Sequence, residues 1–123
     1  MPIKLGHIEI FVRDVERSRE FYEDGFGCSL VTIQGGGQFA WLQSGAVEIL
    51  LRQTPFITAK SDTAYGQAGP PIVFYTEDLA GDLLRLAVLG IRPNGCDGDL
   101  CCPTFTDPDG HSVQLVDPSF DSP

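Results

Sequence analysis

The sequence predicts an α+β fold in which one βαβββ unit occurs twice. Three observations lead there. In the first half, an alternating strand pattern, a capped helix and three further strand-like runs follow one another. Residues 53–70 then keep no period at all. At Pro71 the same signals restart with the same spacing: His7 stands seven residues before the helix cap Asp14, and Pro71 seven before Asp78. A repeat of about 60 residues is longer than the solenoid periods, so it indicates duplication of a whole supersecondary unit. The expected organisation is a single domain over 1–123, with module one at 1–53, a linker at 54–69, module two at 70–118 and a loose tail at 119–123.

Each element has a local cause. Residues 5–12 read as a strand with two faces, Ile8, Ile10 and Val12 on one and His7, Glu9 and Phe11 on the other. Asp14 suits an N-cap, and Val15, Tyr22 and Phe26 recur at helical spacing until Gly25 and Gly27 stop the helix. Strands are expected over Ser29–Gln34, Gln38–Gln43 and Ala46–Arg52, divided by the glycines at 35–37 and by Ser44-Gly45. In the second half, Pro71–Thr76 reads as a strand. Asp78 then caps a helix that places Leu79, Leu83, Leu86 and Gly90 on one face. Short strands are expected around Ile91–Arg92, Cys102–Thr106 and Ser112–Val116, the last two joined by the turn Asp107-Pro108-Asp109-Gly110.

Composition narrows the function classes. An apolar fraction of 42% over 123 residues is enough for an ordinary core. Seventeen acidic residues against eight scattered basic ones give a net charge of −9, which opposes nucleic-acid binding and favours solubility or steering of a cationic ligand. No apolar run reaches the roughly 18 to 20 residues of a membrane helix, and no leader pattern precedes the first strand. Membrane partners are therefore not expected, and a cytoplasmic location with reduced thiols is. Of the four cysteines, Cys28 reads as a small buried hydrophobe; Cys96, Cys101 and Cys102 do not have zinc-site spacing. His111 follows the turn glycine and is expected to be exposed.

Three segments together resemble the vicinal-oxygen-chelate superfamily, which holds glyoxalases, bleomycin-resistance proteins and dioxygenases. LGHIEIFVRDVERSREFYEDGFG is similar to its first strand and helix, FAWLQSGAVEILL to its third and fourth strands, and FTDPDGHSVQL to its last turn and strand. The resemblance implies curved mixed sheets around a concave cup, with the helices outside, and a homodimer in which modules pair across chains. Cup-facing positions then include His7, Glu9, Phe11, Phe39, Trp41, Glu48, Leu50 and Arg52 from the first module. From the second they include Val73, Tyr75, Ser112, Gln114 and Val116, with Phe56 of the linker near the mouth.

Metal-using members hold a divalent ion with four side chains, one from the first and one from the fourth strand of each module. His7 and Glu48 match in the first module, whereas Pro71 and Gln114 stand where the second should supply its pair. The implied metal set is His7, Glu48 and Gln114, suited to Zn, Ni, Fe or Mn, but proline ligates nothing and a neutral amide is a weak ligand. His7 can equally be a lining residue paired with Glu48 or Glu9. The neighbouring Cys101 and Cys102 resemble the thiol pair of organoarsenical-cleaving members only loosely.

Two readings of function follow from the resemblance. In the first, the chain is a metal-independent binding protein of this superfamily that needs no cofactor and holds a small aromatic or cationic ligand, as in antibiotic sequestration. Phe39, Trp41 and Tyr75 would supply flat walls and Glu9 and Glu48 negative charge. In the second, it is a metal-dependent lyase, isomerase or dioxygenase using His7 and Glu48. The catalytic residues of such an enzyme are not legible in the sequence.

Overall fold

The computed structural model describes residues 2–55, 69–97 and 102–121. The chain divides into two compact units, Met1–Ile57 and Thr58–Pro123. Phe56, Cys101 and most of the expected linker lie outside the described residues.

The first unit runs β1 (Ile8–Val12), α1 (Val15–Arg19), β2 (Ser29–Gln34), β3 (Phe39–Ser44) and β4 (Val47–Gln53). Its open curved sheet has the order β1-β4-β3-β2, with β1 parallel to β4 and the other pairs antiparallel. A βα crossover is what permits the parallel pair. Residues 5–7, expected within the first strand, precede it instead. Alternation then decides the faces. Ile10, Val12, Ala40, Leu42, Ile49 and Leu51 are buried on one side of the sheet. There α1 packs against β3 and β4, and the Val15 amide donates to Gln53 Oε1 at 3.2 Å.

Asp14 starts α1 as the sequence implies, its carboxylate accepting from the Glu16 and Arg17 amides. Five residues later the α-helix opens into a π-helical stretch, Glu20–Gly25, which buries Phe21 and Tyr22. Gly27 ends it at φ 75°, a left-handed conformation costly for any residue with a Cβ. Arg19 sits at the α-to-π junction and bonds Glu23 at 2.6 Å and Glu16 at 3.1 Å. The Glu23 bond, then Glu16, raise its pKa against the opposing effect of burial.

The second unit repeats the plan: β5 (Ile72–Tyr75), α2 (Leu79–Val88), β6 (Gly95–Asp97), β7 (Cys102–Thr106) and β8 (Ser112–Val116), followed by a short α3 (Pro118–Asp121). The order β5-β8-β7-β6 and the parallel β5–β8 pair duplicate the first sheet. Asp78 caps α2 by accepting from the Gly81 amide. Leu86 is fully buried and Leu79 and Leu83 half-buried, while Leu84 and Val88 of the same helix face solvent at 73% and 88% exposure.

Two expectations need correction here. The strand placed around Ile91–Arg92 does not form; Gly95–Asp97 is the edge strand, fixed by its pairing to β7. Its entry is set by Asn94, whose amide donates to the Thr104 carbonyl at 2.9 Å. Thr104 Oγ1 in turn donates to Asn94 Oδ1 at 3.1 Å. The expectation of reduced thiols also fails in part: Cys28 and Cys102 remain thiols, but Cys96 is disulfide-bonded.

Candidate functional site

On the face of the first sheet opposite α1, strand register arranges the side chains in rows. Glu9 pairs with Leu50 and Leu50 with Trp41; one row on, Phe11 pairs with Arg52 and Arg52 with Phe39. These are the cup-facing residues expected from β1, β3 and β4. Phe11 is 46% exposed, and Phe39 and Trp41 are half-buried.

Two clusters organise this face. In one, the His7 and Trp41 rings meet edge to face with centroids 4.6 Å apart. They come from β1's leading end and from β3, with β4 lying between, so the contact closes over β4. Leu50, Trp41's partner on β4, is accordingly only 7% exposed although it lies on the open face. Trp41 Nε1 donates to Gln34 Oε1 at 3.1 Å, which fixes the indole from the other side. Gln34 is not among the cup residues that alternation and resemblance identify. Its signal is its place at the end of β2, opposite Phe39 and next to Trp41's row.

In the other cluster, Arg52 Nη1 bonds Glu9 Oε1 at 3.2 Å, and the guanidinium carbon lies 5.4 Å from the centroid of the Phe39 ring. The expected pairing of His7 with Glu9 or Glu48 is thereby replaced: Glu9 binds Arg52, and His7 packs on Trp41. Glu48 is exposed and makes no hydrogen bond or ion pair among the described residues. The negative charge anticipated from Glu9 is largely offset by Arg52, which leaves Glu48 as the unpaired charge of this face among the described residues.

The second sheet differs. Val73 and Tyr75 of β5 are exposed at 44% and 75%, but Thr104, Ser112, Gln114 and Val116 on β7 and β8 are all buried. Asp107 organises the turn before β8, its carboxylate accepting from the Asp109 amide at 2.9 Å and the His111 amide at 2.8 Å. His111 is half-buried rather than exposed. Cys28 is buried as expected; desolvation, with the charge of Glu23 adding, pushes its thiol pKa up to about 11 against a lowering bond from Ser44.

Duplicated sheets, each a βαβββ unit with a capped helix, are now joined by a direct sequence match. The family model for the glyoxalase/bleomycin resistance protein/dioxygenase superfamily matches residues 4–115. The chain belongs to this superfamily.

Solved structures of the glyoxalase fold agree. A lactoylglutathione lyase from Agrobacterium tumefaciens is 20% identical, with 98% of each chain covered and a TM-score of 0.68. The fosfomycin resistance protein FosX from Mesorhizobium loti is 21% identical over 94% of this chain and 91% of that one, at 0.71. TioX from Micromonospora sp. ML1 is 20% identical over 91% and 98%, at 0.64. At such identities the likeness speaks for the fold. No curated protein matches this sequence.

The glyoxalase repeat also bears on how the two fourth strands correspond. Ile8 pairs with Ile49 and Ile72 with Val113. Since Ile8 and Ile72 follow His7 and Pro71, the register makes Glu48 the counterpart of Ser112 and Leu50 the counterpart of Gln114. Counting from the turn glycines matches Glu48 with Gln114 instead, an error of two residues. In the first unit the customary ligand types at these positions are His7 and Glu48; in the second, Pro71 and Ser112 supply none, and Gln114 offers only a neutral amide. Among the described residues no three His, Cys, Asp or Glu side chains are gathered so as to hold an ion. The His/carboxylate pair of the first unit is thus not repeated in the second.

Proposed function

We propose that this chain is a metal-independent small-molecule binding protein of the glyoxalase superfamily, which takes a small planar ligand on the open face of its first sheet. The observation that supports this is the register of the two repeats, which makes Glu48 the counterpart of Ser112 and Leu50 the counterpart of Gln114, so that neither position carries a carboxylate in both repeats. What the face does offer is rigid aromatic surface. Trp41 is held by His7 on one side and Gln34 on the other. Phe39 lies under Arg52 in the next row. Aromatic groups fixed in this way bind planar ligands at little cost in conformational entropy.

FosX, named for fosfomycin resistance, shares this fold, and capture of an antibiotic is one form such binding would take here. A homodimer is part of the proposal: Phe11, Val73 and Tyr75 leave apolar surface exposed on the sheets, of the kind that association buries. A cytoplasmic location is the natural setting for such binding. The rival reading, a metal-dependent lyase, isomerase or dioxygenase built on His7 and Glu48, is opposed by the same register.

Fluorescence of the single tryptophan, Trp41, tests the proposal. Titration with a panel of aromatic amines and aromatic carboxylates is expected to give saturable quenching that is unchanged by a chelator. Quenching that disappears with chelator and returns with Ni²⁺ or Zn²⁺ would overturn it.

A further inference from the structure

Arg52 gives the face a feature that neither an aromatic wall nor an acidic cup explains. It lies in the middle of the row Phe11–Arg52–Phe39, and its side chain is 49% exposed. Two contacts hold the guanidinium, the ion pair to Glu9 and the ring of Phe39. Among the described residues its one hydrogen bond is Nη1 to Glu9 Oε1. Most of the five N–H donors of the fork are therefore unspent. Held from beside and below, the fork has already lost much of the rotamer freedom that binding would otherwise remove, and its planar edge matches a carboxylate.

The adjoining row carries Trp41. Residues two apart on a strand are separated by about 7 Å, roughly the length of an aromatic ring with its carboxylate substituent. From this geometry we infer that Arg52 is the anion-binding end of the site, so that the ligand is an aromatic carboxylate whose ring lies against Trp41 and whose carboxylate meets the guanidinium. The inference rests on the proposed planar-ligand site and narrows it: the paired Glu9 no longer selects for a cation in this row. A ligand carrying a cationic group as well would place it toward Glu48, in the direction away from Arg52.

Isothermal titration calorimetry with 2-naphthoate and its neutral counterpart 2-naphthamide, on the full chain, separates the possibilities. The naphthoate is expected to bind at least about tenfold more tightly than the amide, the scale of a charge-assisted bidentate pair. Arg52→Gln should abolish that preference. Arg52→Lys should restore it only in part, because an ammonium keeps the charge without the fork. Equal binding of the two probes by the wild-type protein would overturn the anion site while leaving the planar-ligand site standing, as would a preference that survives in Arg52→Gln. Failure of both probes to bind would overturn the two together. The wild-type comparison needs no variant, so misfolding of a mutant cannot obscure the outcome.

Discussion

Leu50 and Gln114 are counterparts in the duplicated sheets, the first beside Glu9 on β1 and the second beside Val73 on β5. Both are 7% exposed, yet one is an alkyl group and the other an amide. The first unit has an alkyl group at this position, in register with Trp41; the second has kept a polar side chain there. Gln114→Glu makes the difference measurable. A carboxyl buried at this position has its pKa raised by desolvation, so it stays neutral in the folded state at pH values where the unfolded chain ionises. Folded stability then falls as pH rises above the unfolded carboxyl's value of about 4.3. Chemical denaturation should show a loss of at least about 2 kcal/mol at pH 7 and a much smaller one at pH 4. Added Ni²⁺ should not reverse it, because Pro71, the residue before β5, supplies no donor.

The ring contact between His7 and Trp41 predicts a spectroscopic change. His7→Ala removes one of the two groups that hold the indole and uncovers Leu50 beneath. Trp41 emission should shift to the red and become more accessible to acrylamide, with little change in stability because His7 is itself exposed. Gln34→Ala should shift it less, since water can replace the lost acceptor.

Cys28 should behave as an inert thiol. With its pKa pushed up to about 11, mainly by burial, only on the order of one molecule in a thousand carries the thiolate at pH 8. Iodoacetamide labelling of the native protein, read by mass spectrometry, should modify the partly exposed Cys102 well before Cys28. The folded value exceeds the ordinary thiol value of 9.0, so the unfolded chain releases this proton first. Stability is thus retained below about pH 9 and lost as pH climbs toward 11. Cys28→Ala should flatten that alkaline decline.

The two helix caps should cost similar amounts when removed. Asp14 accepts from the Glu16 and Arg17 amides and Asp78 from the Gly81 amide. Asp14→Ala and Asp78→Ala should each lower stability by about 1 kcal/mol in urea titrations, and the Asn variants by much less, since an amide oxygen still accepts.

Much of this architecture is written in local patterns. The alternation of Ile10 and Val12 with Glu9 and Phe11 sorts β1 into its two faces, and the aspartates at 14 and 78 mark where both helices start. What the sequence hides is set by pairing. Gly95–Asp97 has no strand propensity of its own and becomes β6 only through its ladder to β7 and the Asn94 anchor. The correspondence of the two fourth strands is hidden for a related reason. Residues 45–46 join β3 to β4, but residues 107–111 join β7 to β8, so counting from the turn glycines misplaces Gln114 against Glu48. Only the register to β1 and β5 aligns them. The site is half legible in the same sense: alternation identifies Phe39, Trp41 and Arg52 as neighbours on one face, whereas the choice of Arg52 by Glu9 and of Trp41 by His7 depends on side-chain reach that spacing does not encode.

Metal content decides between the two chemistries most directly. Protein equilibrated with excess Ni²⁺ or Zn²⁺, passed through a desalting column and measured by elemental mass spectrometry should retain far less than one ion per chain, with the same trace level in His7→Ala. One ion per chain in the wild type, lost in His7→Ala, would contradict the register-based assignment and restore a metal site.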